Sequence, residues 1–520
     1  MFLCASLIAM SCALRAAPAQ VFPINPDWTS TDMQVSTGAA LADINRDGLL
    51  DLVVSNGNDI SRQRVVVYYN FPGTGGGLQR TPGWQSGDID YHGHLDVADV
   101  NGDGWPDVAV ANLLVPGGRP SAKLYLNSNG TLSSLPVWTA SVSAESFGLA
   151  FGDMNGDGRP DLAVASGDAY NNIAKVNAVY LNTSGALAAA PSWQTATTRN
   201  FGNCTWLDAD GDGRLDLCYC GSNTDTFIYR NLGTTLSTTP NWNTTDSRRQ
   251  FCLMAAWGDI SGDGRRDLVI ADNNQINAGS GRFRRYDALV PGYFNPVANW
   301  TFFDGYTSAV ALGDINDDGA LDLCTGQWFG RTRFFLNTGS GLPAAATWSS
   351  NSATATTVEK ICLGDLRNRV LRTHTSTFPT NTGQTLFFLP HQPIQELVSV
   401  SRDGTPLSPA QYTFNLEHGW LSVGVAGVPT SQLRVVYRIT HSLDMAVANW
   451  DNNRPNQVYY NRLDFCRSDF NLDGGVDGGD IEAFFITWES GEQDADFNQD
   501  GGVDGGDIEP FFALWSVGGC

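Results

Sequence analysis

Six short stretches of the chain repeat one arrangement of oxygen-bearing side chains. They are Asp43, Asn45, Asp47 and Asp51; Asp99, Asn101, Asp103 and Asp107; Asp153, Asn155, Asp157 and Asp161; Asp208, Asp210, Asp212 and Asp216; Asp259, Ser261, Asp263 and Asp267; and Asp314, Asn316, Asp318 and Asp322. Counting the first Asp as position 1, oxygens fall at positions 1, 3, 5 and 9, with glycine at position 6. This donor set suits Ca²⁺, a hard cation that takes six to eight oxygens in flexible geometry; Mg²⁺ demands a tight octahedron and keeps its waters. Glycine at position 6 permits the sharp turn. Position 7 offers a backbone carbonyl, from Leu49, Trp105, Arg159, Arg214, Arg265 and Ala320 in turn. Asn, Asp and Gly favour ordinary turns too, and a single such loop would mean no more than a turn. Six copies with the same positions filled are expected to bind calcium, the Ser261 loop more weakly.

Two further loops close the chain with a different spacing. Asp469, Asn471, Asp473, Asp477 and Asp480 occupy positions 1, 3, 5, 9 and 12; Asp496, Asn498, Asp500, Asp504 and Asp507 repeat them 27 residues on. Each precedes a short amphipathic segment, Ile481 to Trp488 and Ile508 to Trp515. The six loops supply 19 aspartates and the tail eight, half of the 54 acidic residues. Crowded without a counter-ion, these carboxylates would repel. Eight Ca²⁺ would move the formal charge from −23 to −7, so the metal-free protein is expected to be looser. The acidity also argues against a nucleic-acid partner, which needs a basic face.

The loops need elements to hold them, and the chain shows a repeat. Successive first aspartates lie 56, 54, 55, 51 and 55 residues apart. A tryptophan precedes each loop by 14 to 17 residues: Trp28, Trp84, Trp138, Trp193, Trp242 and Trp300. A seventh, Trp348, precedes a degenerate loop at Asp365. An aromatic-apolar stretch ending in Asn follows most loops, as in Tyr68-Tyr69-Asn70 and Phe335-Leu336-Asn337. The seventh repeat reads as split: Gly364-Asp365 begins it, and Leu443 to Asn449 with Val458 to Asn461 ends it. Four short strands per repeat at this period predict propeller blades. The Trp28 strand, unused ahead of the first loop, is expected to complete the seventh blade, since an open array would leave it at an exposed edge. The expected fold is therefore all-β: a seven-bladed β-propeller over 20–369 and 442–463, a small all-β insertion over 370–441, and a small α-helical calcium-loop tail over 464–520.

Residues 1–19 read as a secretory signal, apolar from Met1 to Leu14 with a small-residue cleavage site at Ala17-Pro18-Ala19. The expected location is secreted, extracellular or cell-surface. No later stretch is long and apolar enough to span a membrane. Eight cysteines follow the signal, without zinc-type pairs; Cys466 and Cys520 bracket the tail and are the first disulfide candidate.

The loops resemble those of FG-GAP/VCBS repeats, as in the integrin α-subunit propeller. Phe147-Gly148 and Phe201-Gly202 match the Phe-Gly of that motif, and Gly152-Asp153 and Gly313-Asp314 match the step into the loop. The resemblance implies that the calcium loops join first and second strands, opposite the usual ligand face, and are structural. The tail resembles a type I dockerin, which implies a cohesin-like partner; serving only as an anchor is the alternative. The ligand-face candidates are Trp328, Trp450, Tyr170 and Asp272, in turns between second and third strands. Trp328 and Trp450 stand at equivalent places in adjacent blades. Exposed, they could stack on a sugar or anchor a protein; the reading we favour packs them under the inserted β-module.

No catalytic constellation is legible. His92 and His94 alternate with Asp88 and Asp90 and could face one metal, but a polar strand entering the second blade is the plainer reading. The function expected is a non-enzymatic, calcium-binding platform for an extracellular protein or glycan, tethered through the tail. The alternatives are a polysaccharide-active component recruited by the dockerin and a purely structural surface protein.

Overall fold

The computed structural model describes residues 21–517 apart from 73–76, 247–248, 278, 291–292, 340, 353–355, 368–370, 425–430, 452, 464–467, 469, 471–475, 492–494, 496 and 498–501. The fold is strand-rich and propeller-like. Each repeat forms a unit of four antiparallel strands. Unit 1 comprises Ser36–Ala42, Asp51–Gly57, Arg62–Tyr68 and Trp84–Gln85; unit 2, His92–Ala98, Asp107–Asn112, Ala122–Tyr125 and Trp138–Thr139; unit 3, Ser146–Gly152, Asp161–Asp168, Ala178–Tyr180 and Trp193–Gln194. Unit 4 comprises Phe201–Leu207, Asp216–Thr224, Phe227–Tyr229 and Trp242–Asn243; unit 5, Gln250–Gly258, Asp267–Asp272, Arg282–Tyr286 and Trp300–Phe303; unit 6, Tyr306–Gly313, Asp322–Trp328, Arg333–Phe335 and Trp348–Ser349. The last unit pairs Val358–Gly364, Asp444–Asn449 and Gln457–Tyr459 with Trp28–Thr29, placing Trp28 opposite Val458. First strands pack side by side in chain order, and Val358–Gly364 returns against Ser36–Ala42.

Local chemistry explains the repeat. Second strands are covered on both faces, so Asp51–Gly57 is buried throughout and its apolar residues Leu52, Val53 and Val54 are consecutive rather than alternating. Every first strand carries a bulge, as between Ser146 and Gly148 or Val358 and Lys360, which adds the local twist a ring requires. Gly148 is demanded by space: a Cβ there would lie 2.6 Å from Cα of Asn203 in the next unit.

The two flanking markers join units. Each of the seven tryptophans meets an aromatic ring of the following unit edge-on: Trp28 on Tyr68, Trp84 on Tyr125, Trp138 on Tyr180, Trp193 on Tyr229, Trp242 on Tyr286, Trp300 on Phe335 and Trp348 on Tyr459. In six of them the indole N–H also donates to a carbonyl of that unit, as from Trp193 to Leu236 at 2.9 Å. The asparagine after each third strand reaches back to the preceding unit's loop. Asn127 donates to the Ile44 carbonyl, Asn182 to Val100, Asn231 to Met154, Asn337 to Ile260 and Asn461 to Ile315, at 2.7–2.8 Å. In unit 5, Ala288 takes this place.

The interruption in the last unit folds as two sheets. One orders Arg372–Pro379, Gln432–Ile439, Glu396–Arg402 and Thr405–Pro406; the other orders Leu386–Phe388, Trp420–Val423 and Tyr412–Asn415. Leu421, Val423, Leu433 and Val435 are among the residues of their shared core. This module lies on the acidic-loop side of the ring, where Gln392 donates to the Trp257 carbonyl at 2.8 Å and Ser422 to Asp153 at 2.7 Å. Trp328 and Trp450 are therefore not under it, contrary to expectation. They pack against each other with ring centroids 5.6 Å apart and against Phe251 and Phe147.

The tail has helices over Gly478–Ser490 and Ile508–Val517, related by the sequence duplication. The Asp477 carboxylate accepts the Gly479 N–H, and that of Asp504 the Gly506 N–H, both at 2.7 Å. Trp488 donates to the Asp504 carbonyl and Trp515 to that of Asp477, so each helix ends on the other's loop. Phe484 and Phe511 stack 4.0 Å apart between them.

Candidate metal centres

The six acidic loops share one internal bonding scheme. The position 1 carboxylate accepts the N–H groups of positions 5 and 6 at 2.7–3.1 Å, as Asp43 does from Asp47 and Gly48. The position 5 carboxylate accepts the position 7 N–H at 2.9–3.1 Å. Position 9 is the buried anchor, with Asp51, Asp107, Asp161, Asp216, Asp267 and Asp322 at most 1% exposed. One of its oxygens accepts a loop N–H; the other accepts the N–H that ends the third strand, such as Asn127 on Asp107 at 2.7 Å. At positions 1 and 9 both carboxylate oxygens accept backbone N–H groups, so the backbone fixes the orientation of these side chains.

The turn needs a left-handed residue twice, not once. Position 6 has φ between 78° and 90° in all six loops, and position 4 between 54° and 73°: Arg46, Gly102, Gly156, Gly211, Gly262 and Asp317. The sequence reading recognised only the glycine at position 6. Where position 4 is not glycine, Asp317 is a residue that tolerates this region, whereas Arg46 carries strain.

Burial, followed by mutual repulsion, sets the electrostatics. Burial pushes the position 9 carboxyls of Asp51 and Asp107 up to about 7, and those of Asp216 and Asp322 up to about 8, with the loop's other aspartates adding to the rise. At position 1, Asp43, Asp153, Asp208 and Asp314 rise to about 6 for the same leading reason. A cation among these groups would reverse the rise. Carboxylate oxygens of Asp208, Asp210 and Asp216 all lie within 4.8 Å of one another, an arrangement that could hold a metal ion. In the sixth loop, Asn316 Oδ1 is shielded from solvent and meets no donor among the described residues.

Arginines supply part of the missing charge. Position 7 arginines fold back onto position 5: Arg159 on Asp157, Arg214 on Asp212 and Arg265 on Asp263. In the last unit Asp444 plays the position 9 part from beyond the insertion, accepting from Leu366 N at 3.1 Å and Asn461 N at 2.9 Å. Positions 3 and 5 lack acids there, and the Arg367 guanidinium lies 3.4 Å from Asp444 Oδ1.

Other expected site residues are placed differently. Asp469, Asn471, Asp473, Asp496, Asn498 and Asp500, with Cys466 and Cys520, lie outside the described residues. Asp480 and Asp507 are buried, and each accepts the N–H of its own loop's position 9, Asp477 or Asp504, at 2.8 Å. Among the ligand-face candidates, Tyr170 is 63% exposed and Trp450 half-buried. Asp272 is buried in an ion pair with Arg284, and Trp328 is buried with its N–H on Glu359 at 2.7 Å, so neither presents itself to a ligand. Phe329, missed from the sequence, does: it is 72% exposed at φ 58° in the same turn. His92 and His94 are both buried, the first on the Asn56 carbonyl and the second on Asn203, while Asp88 and Asp90 pair with Lys123. The six described cysteines are free thiols.

Fold and loops together define a repeat protein of propeller-like build, with an acidic cradle between the first and second strands of each repeat. The family model for the FG-GAP-like repeat matches residues 43–110, 99–164, 153–219 and 208–270, so the chain carries four FG-GAP-like repeats. Two solved structures are similar to this chain at low identity. One is Sqt1 of Saccharomyces cerevisiae, 10% identical, with 84% of this chain and 99% of that one covered at a TM-score of 0.43. The other is BBS1N in complex with ARL6DN, 10% identical, with 66% and 90% covered at 0.44. Likeness at this level says nothing of binding.

Proposed function

We propose that this protein is a non-catalytic, extracellular binding platform: a seven-bladed β-propeller stabilised by calcium, tethered by a dockerin-like pair of calcium loops. The observation that carries the calcium reading is the last unit, where an arginine stands against the position 9 aspartate in the one repeat whose position 5 carries no acid. Six cradles keep the acids and call for a cation; the seventh carries its own. In each cradle the side chains at positions 1, 3, 5 and 9, with the position 7 carbonyl, would hold the ion. Calcium supplies positive charge and oxygen-only coordination there.

The ligand surface belongs to the turns between second and third strands, at the end of the ring away from the cradles. Tyr170 and Phe329 stand exposed in such turns; Tyr170 meets Phe251 edge-on in the cluster of Phe147, Phe251, Trp328 and Trp450, and Phe329 follows Trp328 in sequence. Rigid aromatic faces of this kind suit a glycan or protein ligand. The tail, whose helices cap each other's loops, serves as the tether.

Calorimetric titration of EDTA-stripped protein with Ca²⁺ tests this reading. Several sites and a raised melting temperature are expected, with about 2.7 kcal/mol of stabilisation per site at a hundredfold excess over Kd. An unchanged melting temperature refutes it. A glycan and protein array comparing wild type with Tyr170→Ala and Phe329→Ala tests the ligand face.

A further inference from the structure

Glycines of the second and third loops lie against the inserted module, whereas the fifth loop meets it through the Arg266 side chain, which donates to Gln392 and lies over Phe388. At Gly48, Gly213, Gly264 and Gly319, a Cβ would meet nothing within 4 Å. At Gly158 it would lie 2.4 Å from the Gly424 nitrogen and 2.5 Å from the Gln411 carbonyl oxygen; at Gly424, 1.8 Å from the Asp157 carbonyl oxygen. At Gly102, position 4 of the second loop, it would lie 2.7 Å from the Ala410 methyl. These partners belong to the inserted module, whose backbone rests on the backbone of the second and third loops. A charged link joins them as well. Ser422 Oγ donates to Asp153 Oδ2, the position 1 carboxylate of the third loop, at 2.7 Å.

The same part of the module enters the ring. The hairpin of Tyr412–Asn415 and Trp420–Val423 carries Glu417 at its tip, where it accepts from Lys360 Nζ at 2.8 and 3.0 Å. His418 lies over Trp257 beside it. Lys360 is on the first strand of the last unit, and first strands line a central channel in which Lys360, Glu417 and His418 face one small cavity; this pair ties the hairpin tip to the channel wall.

We propose that the second and third acidic loops are the docking surface for the inserted module, and that calcium in them keeps the module seated with its hairpin in the channel mouth. The proposal rests on the calcium reading above. Without a cation, the carboxylates of Asp153, Asp157 and Asp161 repel one another within a loop whose backbone touches the module. Relaxing that loop withdraws both the Ser422 acceptor and the close contact at Gly158. What then holds the hairpin is the Lys360–Glu417 pair and the contacts around Trp257.

Hydrogen–deuterium exchange on the full-length protein, with calcium and after EDTA, reads this directly. Backbone amides of 411–424 are expected to exchange about tenfold faster or more without calcium. Asp161→Asn, in the third loop, is expected to reproduce that rise in the presence of calcium. Asp322→Asn, in the sixth loop, whose neighbours in the module are 388–393 and 439–440 rather than 411–424, should leave these amides within about twofold of wild type. Equal effects from the two variants, or calcium-insensitive exchange in 411–424, overturn the proposal. Bound calcium counted by calorimetry on the same samples separates the failures. No binding at all removes the calcium reading and this inference together; binding without a change at 411–424 removes only this inference.

Discussion

Arg367 and Asp444 lie on opposite sides of the insertion in sequence, yet the guanidinium of one stands 3.4 Å from the carboxylate of the other. Asp444 is fully buried and keeps both N–H partners of a position 9 aspartate, so the seventh cradle is rebuilt from two distant pieces of chain. Its charge is balanced by a side chain that never leaves.

Arg367→Met should therefore cost about 1–3 kcal/mol, because a buried carboxylate loses its charged neighbour. Urea denaturation with and without calcium checks this. The loss should be the same in both, unlike losses from the other six cradles.

Trp193→Ala should cost about 3–5 kcal/mol, since the ring is buried against Tyr229 and its N–H holds the Leu236 carbonyl. Trp193→Phe should cost less, near the value of one hydrogen bond plus the lost ring volume. Equal losses would mean that the indole N–H contributes nothing.

These junctions show what was legible. The interval of 14 to 17 residues from tryptophan to loop announces a repeat, and the unused Trp28 strand announces where it goes. That each tryptophan braces the next unit's aromatic ring was not readable, because period says nothing about which neighbour a side chain meets. The side of the ring on which the insertion lies is readable from the sequence, although the reading above puts it over Trp328 and Trp450. The insertion interrupts the chain between Asp365 and Asp444, inside an acidic loop, and so must emerge on the loop side, away from Trp328 and Trp450. Asp272 was misplaced for a different reason. Its pairing with Arg284 depends on strand register, which two charged residues 12 positions apart do not disclose.

Asn231→Ala should cost about 1–3 kcal/mol, as it strands the Met154 and Leu215 carbonyls. Replacing Ala288 with Asn, which would restore the missing staple between units 4 and 5, should stabilise the protein if the side chain reaches the preceding loop. Denaturation midpoints of both variants against wild type decide it.

Gly264→Ala should cost about 1–2 kcal/mol, from left-handed strain alone at φ 82°. Gly158→Ala, with nearly the same φ of 80°, should cost measurably more, because its methyl meets the module backbone. Matching values would show that the module can shift aside freely.

Asp96 lines a small channel cavity of about 70 Å³, and burial pushes its carboxyl from 3.8 up to about 6. The folded protein therefore holds this proton more tightly than the unfolded chain. Its contribution favours folding below about pH 4 and is lost as pH rises through 6. Asp96→Asn should gain stability relative to wild type between pH 4 and pH 7, by about 1 kcal/mol given the water-accessible cavity. Paired denaturation curves at each pH in saturating calcium measure the difference, and a flat difference would refute it.

The pairing of Trp28 with Val458 sets a timetable for biosynthesis. One edge of the final sheet is made first, and its partner follows 430 positions later in the chain. Until then the early strand has no mate, and every intermediate length of chain is an unclosed arc with an open edge at each end. Joining such distant segments is slow, because loop closure precedes the contacts that reward it. An emerging chain must keep its beginning unpaired and available until its last strands arrive.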